Sequence, residues 1–268
     1  VASNLFDLSG RVAVVTGAAS GLGQAIAIGL ARHGADIAAA DINDAGLAET
    51  VAQITALGRK ATATHCDISQ PEQVDALFAA VDADFGRVDI LINDPFVMRR
   101  SRPEDMSLED WNFVLNVNLT GYFLCAQAAG KRMIAQGWGG SIVNLSSVGG
   151  SAALGRGNFA YSISKGGLNA FTRELAIEWA QHGIRVNAIA PVQMLSPAVK
   201  AWLADPKTDP ELPKRLVSGI PLGRLGQPED VVGPVVFLAS DAAAFVTGSL
   251  LPVDGGNLAF NAGGSLTW

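Results

Sequence analysis

A chain of 268 residues, 49% hydrophobic and 16% charged, is long enough to bury a substantial core and too apolar to remain disordered. Its formal net charge of −6 sets up a field that repels nucleic acid and anionic membrane surfaces, and no apolar run approaches the roughly 18 residues that span a bilayer. Two cysteines, Cys66 and Cys125, exclude a disulfide framework, and His33, His65 and His182 lack metal-ligand spacing. The expectation is a cytoplasmic enzyme that acts on a small molecule, with no metal, nucleic-acid or membrane partner.

Apolar strand-like runs alternate with longer helix-like segments along the whole chain. "RVAVVTG" precedes "LGQAIAIGLARHG", "ADIAAAD" precedes residues 43–57, and "KATATHCD" precedes "PEQVDALFAAVDADFG". "VDILIN" precedes a long helical stretch over 108–137, and "GSIVNLSS" precedes "AYSISKGGLNAFTRELAIEWAQHG". "IRVNAIAP", the helical "PEDVVGPVVFLAS" and a last strand, "GSLLPVD", complete the pattern. Nearly all-apolar strands joined by crossover helices predict a seven-stranded parallel sheet covered on both faces, hence one doubly wound Rossmann domain over 1–268. The irregular, proline-rich stretch 194–221 is predicted to form a lobe over the substrate, and the tail 257–268 to pack across a subunit boundary.

Chemistry-bearing residues cluster at predicted strand ends. In "TGAASGLG", between the first strand and first helix, Gly17 permits a tight turn, and Gly21 and Gly23, with Ser20 and Leu22 between and beside them, allow a pyrophosphate to approach the helix N-terminus. Asp41 ends the second strand, where a carboxylate accepts from ribose hydroxyls and repels a 2′-phosphate, so NAD is the expected cofactor. Asp67 and Ile68, after the third strand, are candidates for the adenine. Tyr161 and Lys165 of "YSISK" share one helix face, and an ammonium near a phenol favours the phenolate. Ser147, at the end of the fifth strand, reaches the same crevice with a hydroxyl for a substrate oxygen.

These motifs, with "NVN", "IRVNAIAP" and "PVDGG", occur in an order that resembles the single-domain short-chain dehydrogenase/reductase family from about Leu8 to Asn257. The resemblance implies that Tyr161 is the general acid/base, that Lys165 holds the nicotinamide ribose and lowers the tyrosine pKa, and that Ser147 orients the substrate. It also implies a supporting role for Asn118 in a proton relay, cofactor contacts from Asn93, Pro191, Met194 and Ser196, and a homotetramer. The chain departs from the family at "NDPF", where relatives carry Asn-Asn-Ala-Gly, and at "PVQMLS", where Val192 replaces a glycine. Relatives act on sugars, polyols and sugar-derived acids, and Arg99, Arg100, Arg156 and Gln193 suit such a substrate, the three arginines suiting an anionic one. Two other readings stay open: reduction of apolar or carrier-bound ketones, and an NAD-sensing protein without turnover.

Overall fold

The computed structural model describes residues 4–260. Seven parallel strands form one sheet in the order β3-β2-β1-β4-β5-β6-β7: β1 (Val12–Thr16), β2 (Asp36–Asp41), β3 (Ala61–His65), β4 (Ile90–Asn93), β5 (Gly140–Leu145), β6 (Ile184–Pro191) and β7 (Leu250–Val253). Successive side chains of a strand point to opposite faces, and the sequence supplies apolar residues to both. Ala13 and Val15 join the core under α1 (Gly21–Arg32), α2 (Asp44–Ala56) and α9 (Val232–Ala239), whereas Val14 joins the core under α3 (Pro71–Phe85), α5 (Gly121–Gln136) and α6 (Phe159–Trp179). The sheet edges differ from the all-apolar expectation. β3 reads "ATATH" and is half-exposed, because an edge strand has one less neighbour to cover it, and β7 carries Pro252, which an edge tolerates.

Two local features position the site. Helix α4 (Leu108–Leu115) runs into α5 through a turn of π geometry at Asn116–Thr120, so the helix predicted over 108–137 contains a local bulge, with Asn118 buried in it. The strand order reverses between β1 and β4, which opens a crevice beyond their carboxyl ends. After β6 the chain forms two short helices, α7 (Pro197–Ala204) and α8 (Leu212–Val217), within the irregular stretch singled out above. Of the tail, residues 261–268, including Trp268, lie outside the described residues.

Candidate active site

A cleft of about 540 Å³ lies over the carboxyl ends of the central strands. Only four residues, Gly17–Ser20, connect β1 to α1. The connection is this tight because Gly17 adopts φ +76° and because a Cβ on Gly23 would sit 2.1 Å from the Gly17 carbonyl oxygen. Ser20 makes no side-chain cap, and the first turn of α1 carries no acidic residue. The backbone there, with Gly17, Ser20, Gly21 and Leu22 lining the cleft, is a cradle that fits a pyrophosphate. Gly23 lies beneath that lining and permits the turn.

Asp41 ends β2 with its carboxylate fixed by backbone donors on either side, Ala19 N–H at 3.0 Å and Asn43 N–H at 3.0 Å. It lines the cleft together with Asp67 and Ile68. Asp67 also accepts from the Ser69 N–H (2.9 Å) and hydroxyl (2.7 Å), so it shapes the turn after β3. Pro191, Gln193, Met194 and Ser196 line the opposite wall. Ser196 accepts from Val199 N–H at 3.4 Å as the cap of α7, which ties the lobe to the cleft rim.

Ser147, Tyr161 and Lys165 meet at the centre. Ser147 follows β5 and its Oγ accepts from Gly149 N–H at 3.0 Å, while its hydroxyl lies against the Tyr161 phenol. One turn along α6, Lys165 is 2% exposed, donates to Leu145 O (2.6 Å) and to the Tyr122 hydroxyl (3.3 Å), and lies 5.9 Å from the Tyr161 ring centroid. Burial pushes the Tyr161 phenol above its ordinary pKa; the Ser147 hydrogen bond opposes that, and the Asp94 carboxylate adds to it. The expected lowering by Lys165 is therefore absent from this arrangement: the ammonium is directed to Leu145 and Tyr122 rather than to the phenol oxygen. Burial lowers the Lys165 pKa to about 8, against the opposing pull of Asp94.

Several expected residues do other work. Asn93 is fully buried below the cleft, donates to Asn144 Oδ1 at 3.1 Å and accepts from the Thr16 hydroxyl at 3.4 Å, so it locks the ends of three central strands together. Asn118 clamps Val97 in both directions, Val97 N–H to Oδ1 at 2.8 Å and Nδ2 to Val97 O at 2.9 Å, and also donates to Ser164 Oγ at 3.2 Å. Its amide thus fixes the segment leaving β4.

The arginines divide. Arg99 pairs with Asp110 at 3.3 Å and sits over the Phe113 ring at 4.3 Å, which holds it away from the cleft lining and corrects the expectation that it faces the substrate. Arg100 lines the cleft and stacks over Trp202 of α7 at 5.6 Å. Arg156 also lines it, in a left-handed run in which Gly155, Arg156 and Gly157 have φ of 63°, 56° and 74°. A bridge between Ser101 and Asn158, with Ser101 N–H donating to Gly157 O at 3.2 Å, brings the two arginines onto neighbouring strands of chain. Neither forms an ion pair with a carboxylate among the described residues.

Of the cleft residues that sequence reasoning did not assign to the site, three bear on its chemistry. Asp94 and Phe96 stood in the "NDPF" departure: Asp94 enters the cleft floor, and Phe96 packs edge-on to Tyr161 with centroids 6.1 Å apart. Asn158 lines the cleft, is 5% exposed, and its Oδ1 has no hydrogen-bond partner among the described residues, while its Nδ2 donates to Gly155 O at 2.7 Å. Nothing in the sequence around Asn158 marked it.

A family model described as enoyl-(acyl carrier protein) reductase matches residues 17–257. The chain is 43% identical over 258 residues to a 2-dehydro-3-deoxy-D-gluconate 5-dehydrogenase of Escherichia coli K12, covering 95% of this chain and 98% of that one. It is 44% identical over 252 residues to a D-threitol dehydrogenase of Mycolicibacterium smegmatis, covering 94% of each. Among solved structures, a gluconate 5-dehydrogenase from Burkholderia cenocepacia J2315, in complex with NADP and tartrate, superposes with a TM-score of 0.89 at 33% identity over 96% of this chain and 99% of that one.

Proposed function

Because the chain belongs to the short-chain dehydrogenase/reductase family, we propose that it is an NAD-linked dehydrogenase of a hydroxylated carboxylic acid, of the sugar-acid type. The observation that carries the reaction is the meeting of Ser147, Tyr161 and Lys165 beside the glycine cradle. When bound, the nicotinamide supplies a hydride acceptor, or a donor in the reverse direction. In the oxidative direction, Ser147 holds the substrate oxygen by hydrogen bond, and Tyr161 Oη receives the hydroxyl proton as the C–H hydride leaves and the C=O bond forms. Lys165, buried one turn away, would hold the cofactor's nicotinamide ribose, and an ammonium donating toward Tyr161 rather than Leu145 would favour the phenolate that accepts the proton.

The substrate class follows from the other wall. Arg100 and Arg156, free of carboxylate partners among the described residues, suit a carboxylate, and the orphaned Asn158 Oδ1 suits a substrate hydroxyl that donates to it. Gluconate-type relatives and the tartrate complex agree with that chemistry. Residues 194–221 would close over such a substrate, since Trp202 and Leu216 of the two lobe helices line the cleft. In this reading, one domain performs both cofactor and substrate binding, and the chain assembles as a homotetramer.

The preference for NAD rests on Asp41, whose fixed carboxylate would face a 2′-phosphate with no Arg or Lys in the glycine loop or at Ile42 and Asn43 to offset it. The Burkholderia neighbour holds NADP, so the choice is tested on this chain directly. The wild type should give a higher kcat/KM with NAD, and Asp41→Ala should narrow that difference by about tenfold or more, the removal of one like-charge contact being worth at least ~1.4 kcal/mol. Equal efficiency with NADP in the wild type would remove the assignment.

A further inference from the structure

Asp94 is the one acidic group on the cleft floor beside Lys165, and the reaction described above does not use it. It is partly exposed in the cleft lining. Its Oδ2 lies against the first turn of α1, where a Cβ on Gly23 would meet it at 2.9 Å. A Cβ on Gly17 would meet Asp94 Cβ at 3.3 Å and Pro95 N at 3.0 Å. The carboxylate is thus packed under the glycine cradle from below, at the end of the helix where a pyrophosphate binds from above. Its titratable neighbours are Lys165 and Tyr161 of α6, Tyr122 of α5 and Asp41 of β2, and Arg100 and Arg156 line the same cleft. It forms no ion pair with Lys165 among the described residues.

We propose that Asp94 couples dinucleotide binding to the uptake of one proton, acting as a positioning residue that adjusts the charge of the Lys165 site to the anionic cofactor. The proposal rests on the reading of the cleft as a dinucleotide site. A pyrophosphate at the α1 N-terminus brings negative charge to the helix end that the carboxylate already occupies. Two anions sharing one donor surface disfavour each other's ionised form, and the phosphates, being strong acids, keep their charge, so the carboxylate takes the proton from solvent. Burial already raises the Asp94 pKa to about 7, with Lys165 and Gly23 opposing and Asp41 adding to the rise.

The direction in pH follows from linkage. If binding raises the pKa of Asp94, affinity is strongest below the value of the free protein, near 7, and declines as pH rises from there to the pKa of the complex. Each unit by which the bound pKa exceeds the free one weakens binding by about tenfold across that window. Lys165 titrates nearby and also gains a proton preference from an anion, so its contribution has to be removed separately.

Calorimetric titration with NADH and with ADP-ribose, in buffers of different ionisation enthalpy, counts the protons taken up. The wild type should take up a fraction of a proton near pH 7.5 and less near pH 6, with affinity falling about tenfold from pH 6 to pH 8.5. In Lys165→Arg, whose guanidinium does not titrate, the uptake should persist. Adding Asp94→Asn to that variant should abolish the uptake and flatten the affinity. Binding of NADH without proton uptake in the wild type, or uptake unchanged by Asp94→Asn in the arginine background, would overturn the coupling alone. No binding of either probe at any pH would overturn it together with the dinucleotide reading.

Discussion

At the scale of single residues, roles are decided by what each side chain has left to offer after its structural bonds are made. Ser147 accepts from Gly149 N–H, and its hydroxyl hydrogen, set against the Tyr161 phenol, is the one left to turn to a substrate oxygen; Asn93 has spent both amide atoms within the sheet. Tyr161→Phe removes only the proton-transfer oxygen. Turnover should fall at least about a hundredfold while NADH affinity, measured by fluorescence titration, stays within about twofold. A variant that retained a tenth of the rate would place the proton transfer elsewhere. The arginines give a sharper test because they are neighbours with opposite fates. Arg100→Met and Arg156→Met should raise KM for an acidic substrate by about tenfold or more, in keeping with ~1.5–3 kcal/mol for a charged hydrogen bond. Arg99→Met, which breaks an exposed pair with Asp110, should leave KM unchanged. The sequence could not tell Arg99 from Arg100, since the distinction depends on Asp110 and Phe113 lying within reach of one and Trp202 within reach of the other.

Elements carry the next level of control. The central strands were readable because parallel strands buried on both faces are apolar throughout; the edge strands β3 and β7 were readable mainly from the helices of contrasting period that precede them. The bulge at Asn116–Thr120 was not, because one inserted residue in a continuous helix leaves the apolar pattern nearly intact; yet that bulge places Asn118 against Val97 and so sets the path of the chain leaving β4. Asp94 was visible as a departure from a family pattern, but its position beside Lys165 comes from the strand order, which sets the end of β4 next to β5 and the helix that follows it, and no local spacing encodes that. The β1–α1 connection is the element most exposed to a single change. Gly23→Ala would force a methyl into the Gly17 carbonyl, where neither backbone can retreat without reshaping the cradle. The expected cost is about 1–3 kcal/mol of stability, read by thermal or denaturant unfolding, together with a rise of more than about tenfold in the Kd for NADH. An alanine variant that binds NADH like the wild type would show that the cradle does not hold the pyrophosphate.

For the whole molecule, the surface tells what the single chain leaves unfinished. Phe123 and Ile134 of α5 and Phe159, Ile163 and Ile177 of α6 are exposed, Ile177 at 76%, on helices whose other faces already pack on the sheet. The proposed assembly, with α5 and α6 pairing with their copies, would cover these apolar side chains. Light scattering at micromolar concentration should report a mass near four chains, and Ile177→Asp should lower it; a monomeric wild type would contradict the assembly. No helix among the described residues is long and apolar enough to cross a membrane. The central claim, that this cleft oxidises a hydroxyl of a sugar-type acid with NAD, is tested most directly by the initial rate of NADH formation from NAD. The panel should pair aldonic and deoxy-ketoaldonic acids with the corresponding neutral polyols and with apolar secondary alcohols. At least one acid should give the highest kcat/KM, with the activity lost in Tyr161→Phe. An apolar alcohol or a neutral polyol outperforming every acid, or no NADH formed from any of them, would contradict the account.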